Sequence, residues 1–334
     1  MTRPDRPAAE LELLGQLANT IDETLSAVIP AGSRVALLDV PDHTNVGDHA
    51  ITVGEFVALR RAGFRLTHAS ALETGTPRRL AERLPETVIL LHGGGNLGDL
   101  WPAHQRYREE VLARFPQHKV VQLPQSLAFE RSETLTAAQR AFDGHPDFTL
   151  MVRDRENLNF ARREFSCRVE LCPDSALALG PLATPSTPSR DVLCLARHDH
   201  ERLSDEDCGS EAVDWPRPLD RRESFLAGLA GDLGAKLDRR PRRPSGGERL
   251  LALALERLAR RRLHRGICLL AGGRTVVTNR LHAHLLSLLL GIPNVVANTR
   301  SGKVHDFVDT WTESSALVRR ADSLADGLRM ARDA

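Results

Sequence analysis

Aromatic side chains are scarce: they are 4% of the 334 residues and include one Tyr. A surface that grips bases by stacking is therefore not predicted. The five cysteines, Cys167, Cys172, Cys194, Cys208 and Cys268, are scattered and form no Cys-x-x-Cys pair. That excludes a disulfide framework and a zinc knuckle, and it fits a reducing cytoplasm. Charge of one sign is missing too, because 45 basic residues face 44 acidic ones for a net charge of +1. No nucleic acid or other global polyanion partner follows. The longest apolar run, Leu285 to Ile292, falls far short of a membrane span. The opening Met1-Thr2-Arg3-Pro4-Asp5-Arg6 leads into an amphipathic pattern, so no signal peptide is expected. A P-loop, a clean GxGxxG, a GxSxG elbow and an HExxH pair are all lacking, which disfavours an NTPase, a dinucleotide enzyme and serine or zinc hydrolases.

What is present is alternation. A helix over Leu11–Val28 is followed by short apolar runs at Arg34–Asp39, Thr87–Leu91, Lys119–Leu123, Phe148–Val152 and Arg168–Leu171, each leading to a polar loop. Helices are predicted near 49–61 and 103–114. Such strand–loop–helix repetition implies an α/β fold with mostly parallel strands, and places ligands at the strand C-terminal ends. Gly180 to Arg190 reads as a linker, dividing two α/β domains at 1–182 and 183–334. In the second, Asp191–Ala196 restarts the strand pattern, Asp214–Gly247 reads as an irregular surface insertion, Glu248–Arg262 as a helix, and Arg274–Thr278 as a strand feeding a helix through Leu281, Leu285 and Leu289.

Several loops carry chemistry. Asn279 is expected to cap the last of these helices, with Arg280 and His282 in its first turn, where open backbone amides and the helix dipole favour an anion. His92-Gly93-Gly94-Gly95-Asn96 offers either a tight structural turn or a backbone cradle for a phosphate, carboxylate or hydroxyl. Asn45-Val46-Gly47-Asp48 and Asn96-Leu97-Gly98-Asp99 each present an amide and a carboxylate before a helix, as ligand contacts or as N-caps. Arg153 and Arg155 follow one strand, and Arg197, His198 and His200 another, so several cations are predicted to share one edge and bind a compact polyanion. Arg155 is alternatively an ion-pair partner of Asp154 or Glu156. No metal site is expected, since nothing completes a set around His198 and His200. The arginine-rich stretches at 239–243 and 257–262 are read as a solvated face, with peripheral contact to an anionic membrane as the alternative.

In order along the chain, Asn45-Val46-Gly47-Asp48 with Ile51, Gly93 to Asp99, Leu123-Pro124-Gln125-Ser126, Val152-Arg153-Asp154-Arg155-Glu156, Cys172-Pro173-Asp174, Arg274 to His284, Leu290-Gly291-Ile292-Pro293 and Ser301-Gly302-Lys303 with Trp311 resemble the polysaccharide pyruvyl transferase family. The resemblance implies two Rossmann-like domains similar to the glycosyltransferase type B fold, phosphoenolpyruvate as co-substrate with no further cofactor, and a saccharide acceptor on an exopolysaccharide or its lipid-linked precursor; the expected location is the cytoplasm, with the inner face of the membrane as the alternative. It points to Arg280, Leu281 and His282 as contacts to phosphoenolpyruvate. On that reading His282 is the general acid, Asp48 or Asp99 the base, and Arg197 helps Arg280 hold the anion. Arg153, Arg155, Gly94, Gly95, Asn96, Asn45 and Lys303 complete the expected substrate contacts. The family's Thr-Asp-Arg-Leu-His-Gly-His is here Thr278-Asn279-Arg280-Leu281-His282-Ala283-His284, which removes a carboxylate but keeps a capping side chain. The alternatives are a nucleotide-sugar glycosyltransferase of the same fold and a non-catalytic saccharide-binding member of an assembly complex.

Overall fold

The apolar runs do become parallel strands. The computed structural model describes residues 6–81, 83–197, 212–216, 221–238, 246–299 and 302–333. Its strands are β1 (Arg34–Leu38), β2 (Arg65–Ser70), β3 (Val88–Leu91), β4 (Gly94–Gly98), β5 (Val120–Ala128), β6 (Phe148–Val152), β7 (Arg168–Leu171), β8 (Arg190–Leu195), β9 (Gly273–Thr278), β10 (Asn294–Ala297) and β11 (Val318–Ala321). The helices are α1 (Ala8–Val28), α2 (Val46–Arg61), α3 (Pro77–Ala81), α4 (Pro102–Arg114), α5 (Ser132–Asp143), α6 (Arg155–Glu164), α7 (Arg221–Asp238), α8 (Gly246–Ala271), α9 (Leu281–Leu290), α10 (Lys303–Phe307) and α11 (Leu324–Arg332).

One sheet has the order β2-β1-β3-β5-β6-β7, with β4 added beside β5, and the other β11-β10-β9-β8. All pairings are parallel. Residues such as Leu37, Leu90 and Val121 are fully buried, as expected where both faces of a parallel sheet are covered. In the first sheet the chain steps from β1 outward to β2, then back across to β3. The loops after β1 and β3 therefore diverge and leave a crevice at the strand C-terminal ends.

Three elements depart from the sequence reading. Gly94–Gly98 is a strand rather than a loop, paired with the far half of β5 (Gly94 with Gln125, Gly98 with Ala128). β5 accordingly runs on through Pro124-Gln125-Ser126. Close approach explains the glycines: a Cβ at Gly98 would lie 2.1 Å from the Ala128 carbonyl oxygen, and one at Gly93 2.8 Å from that of Pro124. Within the expected irregular insertion, Arg221–Asp238 is the helix α7. Its apolar period is interrupted by Gly228, Gly231 and Gly234, and Gly234 is where the helix presses against Thr74.

The apolar core does not divide at residue 182. Leu37, Val53, Leu193, Leu255 and Leu286 belong to one cluster. Although α8 follows β8 in the chain, it packs on α2 and β2, and Arg60 holds Glu256 through two hydrogen bonds of 2.9 and 2.7 Å. At the other end α1 reaches the second sheet's side, where the buried Glu10 accepts from Ser315 Oγ and the Ala316 amide at 2.7 Å each.

Candidate active site

A cleft of about 420 Å³ lies where the two sheets present their strand C-terminal ends. From the first sheet it is lined by His43, Thr44, Asn45, Asp48, Gly95, Asn96, Trp101, His104 and Arg153, and from the second by Arg197, Asp214, Trp215, Arg280, Leu281, His282, Thr299, Lys303 and Val304. Of the side chains expected from sequence, the fold thus gathers Asn45, Asp48, Gly95, Asn96, Arg153, Arg197, Arg280, Leu281, His282 and Lys303.

At its centre, β9 ends at Thr278 and α9 starts at Leu281, which puts His282 in the first turn. His282 Nε2 lies 3.3 Å from Asp174 Oδ2. Asp174 is fully buried; it also receives Arg153 Nη1 at 2.8 Å and the Ala176 amide at 2.9 Å. Burial pushes this carboxyl up, but the charges of His282 and Arg153 and these hydrogen bonds outweigh it and hold it well below the usual carboxylate range. Arg153 Nε further donates to Ser126 Oγ at 2.8 Å, so the guanidinium is fixed on two sides.

On the facing wall Asn45 caps α2 by accepting from the Gly47 amide at 3.1 Å, and its Nδ2 donates to Asp48 at 2.8 Å. Gly47 is where the α2 N-terminus meets His282: a Cβ there would lie 2.5 Å from His282 Nδ1. Burial alone would raise the Asp48 pKa, yet His43, His282, His92 and His49 together lower it, so the carboxylate is ionised at neutral pH. His43 Nε2 is 3.5 Å from Asp48. His282 is therefore bracketed by a buried carboxylate and by one that lines the cleft.

Below the cleft, His92 Nδ1 is 2.7 Å from Glu55 Oε2 and the Gly93 amide donates to Glu55 Oε1 at 2.8 Å. The His92 pKa is raised: burial opposes this but is outweighed by Glu55, Asp48 and Asp39. The Asn96 amide donates to Gln125 Oε1 at 3.3 Å, and its Oδ1 accepts from Gln125 at 2.9 Å and from Arg108. Two amides of the expected anion cradle are thus engaged with protein acceptors. The glycine run builds a strand edge, from which Gly95 reaches the cleft; Gly94, at φ 127°, turns toward Ile51 and Asp48 instead.

Other expectations require correction. Asn279 does not cap α9, whose N-cap residue is Arg280; Asn279 Oδ1 accepts from the Arg197 amide at 2.9 Å, joining the ends of β8 and β9. Asp99 lies outside the cleft because its carboxylate binds the Glu130 and Arg131 amides, the latter at 2.8 Å, which removes it as the base. Arg155 also lies outside: its amide donates to Thr310 Oγ1 at 3.2 Å and its guanidinium reaches the Asp309 carbonyl. His198, His200 and Ser301 fall outside the described residues.

Sequence reasoning missed Asp174, His43, His104 and Asp214 as parts of the site. Arg280 Nη2 donates to both Asp214 oxygens at 2.7 and 2.8 Å. His104 Nδ1 lies 2.8 Å from Asp39, a residue held at φ 66° as the chain leaves β1. The Cys172-Pro173-Asp174 motif was a signal for Asp174. Nothing local marked the others. Among the described residues no group of three or more His, Cys, Asp or Glu is placed to hold a metal ion.

Comparison with known proteins places the chain in a family. The polysaccharide pyruvyl transferase family model matches residues 45–301, a span that includes most of the residues lining the cleft, from Asn45 to Thr299. Pyruvyl transferase 1 of Schizosaccharomyces pombe is 33% identical over 304 residues, covering 85% of this chain and 71% of that protein. EpsO of Bacillus subtilis, which carries a provisional pyruvyl transferase name, is 30% identical over 303 residues, covering 88% of this chain and 91% of that one. In fold, the crystal structure of an uncharacterized protein from Klebsiella pneumoniae superposes with a TM-score of 0.61 at 14% identity, covering 92% of this chain and 99% of that one. The chain belongs to the polysaccharide pyruvyl transferase family.

Proposed function

We propose that this protein transfers the pyruvyl group of phosphoenolpyruvate to two hydroxyls of a saccharide, forming a ketal and releasing phosphate. The observation that carries this reading is His282 between Asp174 and Asp48, in a cleft that also holds Arg153, Arg197, Arg280 and Lys303. Guanidinium groups pair with phosphate and carboxylate in forked geometry, so this wall suits a small trianion. The two sheets facing one another across the cleft form, on this reading, a glycosyltransferase type B arrangement with the donor on the β8–β11 side.

His282, oriented by Asp174, gives a proton to the methylene carbon of the enol, leaving a cationic centre at the carbon that bears carboxylate and phosphate. A saccharide hydroxyl adds there and its proton passes to Asp48. A hydroxyl attacking a cation becomes strongly acidic, so a weakly basic carboxylate suffices provided it is ionised. The carbon–oxygen bond to phosphate then breaks, the second hydroxyl adds to the same carbon to close the ketal, its proton leaves on the phosphate, and the proton held by Asp48 returns to His282. One phosphoenolpyruvate and one diol thus give one ketal and one phosphate.

The test is to incubate the protein with phosphoenolpyruvate and a panel of oligosaccharides, following phosphate release and the ketal methyl signal by NMR. Phosphate released in step with ketal supports the reading. Phosphate released at the same rate without saccharide, and no ketal with any acceptor, overturns it.

A further inference from the structure

The cleft makes no use of the outer faces of α7 and α8. Six large apolar side chains in the described protein are markedly exposed, and four of them sit on this hairpin: Phe225 (69%), Leu229 (45%), Leu250 (59%) and Leu253 (41%). Exposed apolar residues scattered singly need no explanation, whereas a cluster marks a contact surface. Phe225 and Leu229 are four apart on α7, while Leu250, Leu253, Arg257 and Arg260 follow the three-and-four spacing of one face of α8.

Charge on the exposed parts of the hairpin is one-sided. Arg221, Arg222, Lys236, Arg249, Arg257 and Arg260 are exposed. The hairpin's glutamates turn inward instead: Glu223 to Arg265, Glu248 beside Arg83, and Glu256 between Arg60 and Arg260. Among the side chains whose exposure is described, Asp232 is the one exposed acid of the pair.

We propose that the α7–α8 hairpin is a docking face for an anionic lipid bilayer. Apolar side chains that enter the headgroup boundary, flanked by arginines that meet lipid phosphates, are what such a surface recognises. A second copy of this chain fits poorly, since two copies of the face would set arginines against arginines. Docking is coupled to the cleft by α8 itself, because Arg262 Nη1 donates to the carbonyls of Asp42 and His43 at 2.9 and 2.7 Å, and His43 lines the cleft. The bilayer would thereby hold the cleft beside any lipid-linked acceptor. The docking itself does not depend on the pyruvyl transfer reading, and its test involves no turnover.

The experiment is co-sedimentation of the full chain with vesicles of phosphatidylcholine alone or with about 30 mol % phosphatidylglycerol, an anionic surface of the kind that attracts arginines. Binding is expected to the anionic vesicles alone and to weaken with added salt. Each arginine near such a surface contributes about fivefold, so Arg249→Ser with Arg257→Ser should weaken binding about twentyfold. Phe225→Ser with Leu250→Ser should weaken it as well, at an unchanged melting temperature because both side chains are already exposed. A control pair on α6, Arg162→Ser with Arg163→Ser, should bind as the wild type does. Equal binding to neutral vesicles, no binding at all, an equal loss in the control pair, or concentration-dependent dimers abolished by the apolar substitutions would each overturn the proposal.

Discussion

Replacing Asp174 by Asn tests the central pairing most sharply, because it preserves shape while removing the buried charge shared by Arg153 and His282. Asp174 is fully buried and Arg153 is 4% exposed, so the guanidinium would lose its 2.8 Å counter-ion with no water to replace it. Breaking such a buried pair from one side costs about 3–5 kcal/mol. The amide oxygen keeps a neutral hydrogen bond worth about 1 kcal/mol, which leaves an expected loss of about 3 kcal/mol by the same reasoning. The pH dependence has a definite sign. The Asp174 carboxyl is held low in the folded protein, so its contribution is complete above the unfolded carboxylate value of about 3.9 and is lost as pH falls through the lower folded value. Urea unfolding at successive pH values should therefore show a constant gap between wild type and variant from pH 7 to about 4, narrowing below. Kinetics adds a readout that a purely structural role would not move: with a negative charge gone from beside the donor wall, the KM for phosphoenolpyruvate should not rise, while kcat falls about a hundredfold through loss of His282 orientation. A stability change under about 1 kcal/mol at pH 7 would refute the buried pair, and a raised KM with unchanged kcat would refute the positioning role.

Two further outcomes follow from the same geometry. Gly47→Ala inserts a methyl group 2.5 Å from His282 Nδ1, so turnover should fall at least about tenfold from displacement of the ring, with saccharide affinity measured by calorimetry unchanged; unaltered turnover would mean that the ring is free to move aside. His284 is buried between Asn294 Oδ1 and Thr312 Oγ1; burial, partly offset by Asn294, pushes its pKa down to about 4. A group buried neutral contributes stability that is complete above its unfolded value of about 6.5 and is lost as pH falls toward the folded one, here about 3 kcal/mol. His284→Gln should flatten the stability curve between pH 6.5 and 4, and an unchanged slope would exclude His284 from acid sensitivity.

Much of this arrangement was legible because it is local. A β-branched run followed by Asn279-Arg280-Leu281-His282 announces a strand that ends in a helix start with cations on it, and Asn45-Val46-Gly47-Asp48 announces a capped helix that carries a carboxylate to the strand ends. What was not legible depends on pairs far apart in the chain. Asp174 becomes the partner of His282 across 108 residues. Asn279 was read as a cap because residue type favours it, and the β8–β9 pairing gives it the Arg197 amide instead. The glycines at 93–98 suggest a cradle, since nothing in that stretch reveals that β5 lies within 3 Å of where a Cβ on Gly93 or Gly98 would stand. Arg155 looks equivalent to Arg153 in sequence, but the start of α6 separates a side chain turned into the cleft from one turned toward the Asp309 carbonyl.

The most direct measurement is thermal unfolding of the wild type and Arg280→Ala with phosphoenolpyruvate and, separately, with a panel of nucleotide sugars. A ligand that binds only the folded state stabilises it by about 2.7 kcal/mol at a hundredfold excess over its Kd. The account predicts a rise in melting temperature with phosphoenolpyruvate that is lost in Arg280→Ala. A rise with a nucleotide sugar and none with phosphoenolpyruvate would contradict it.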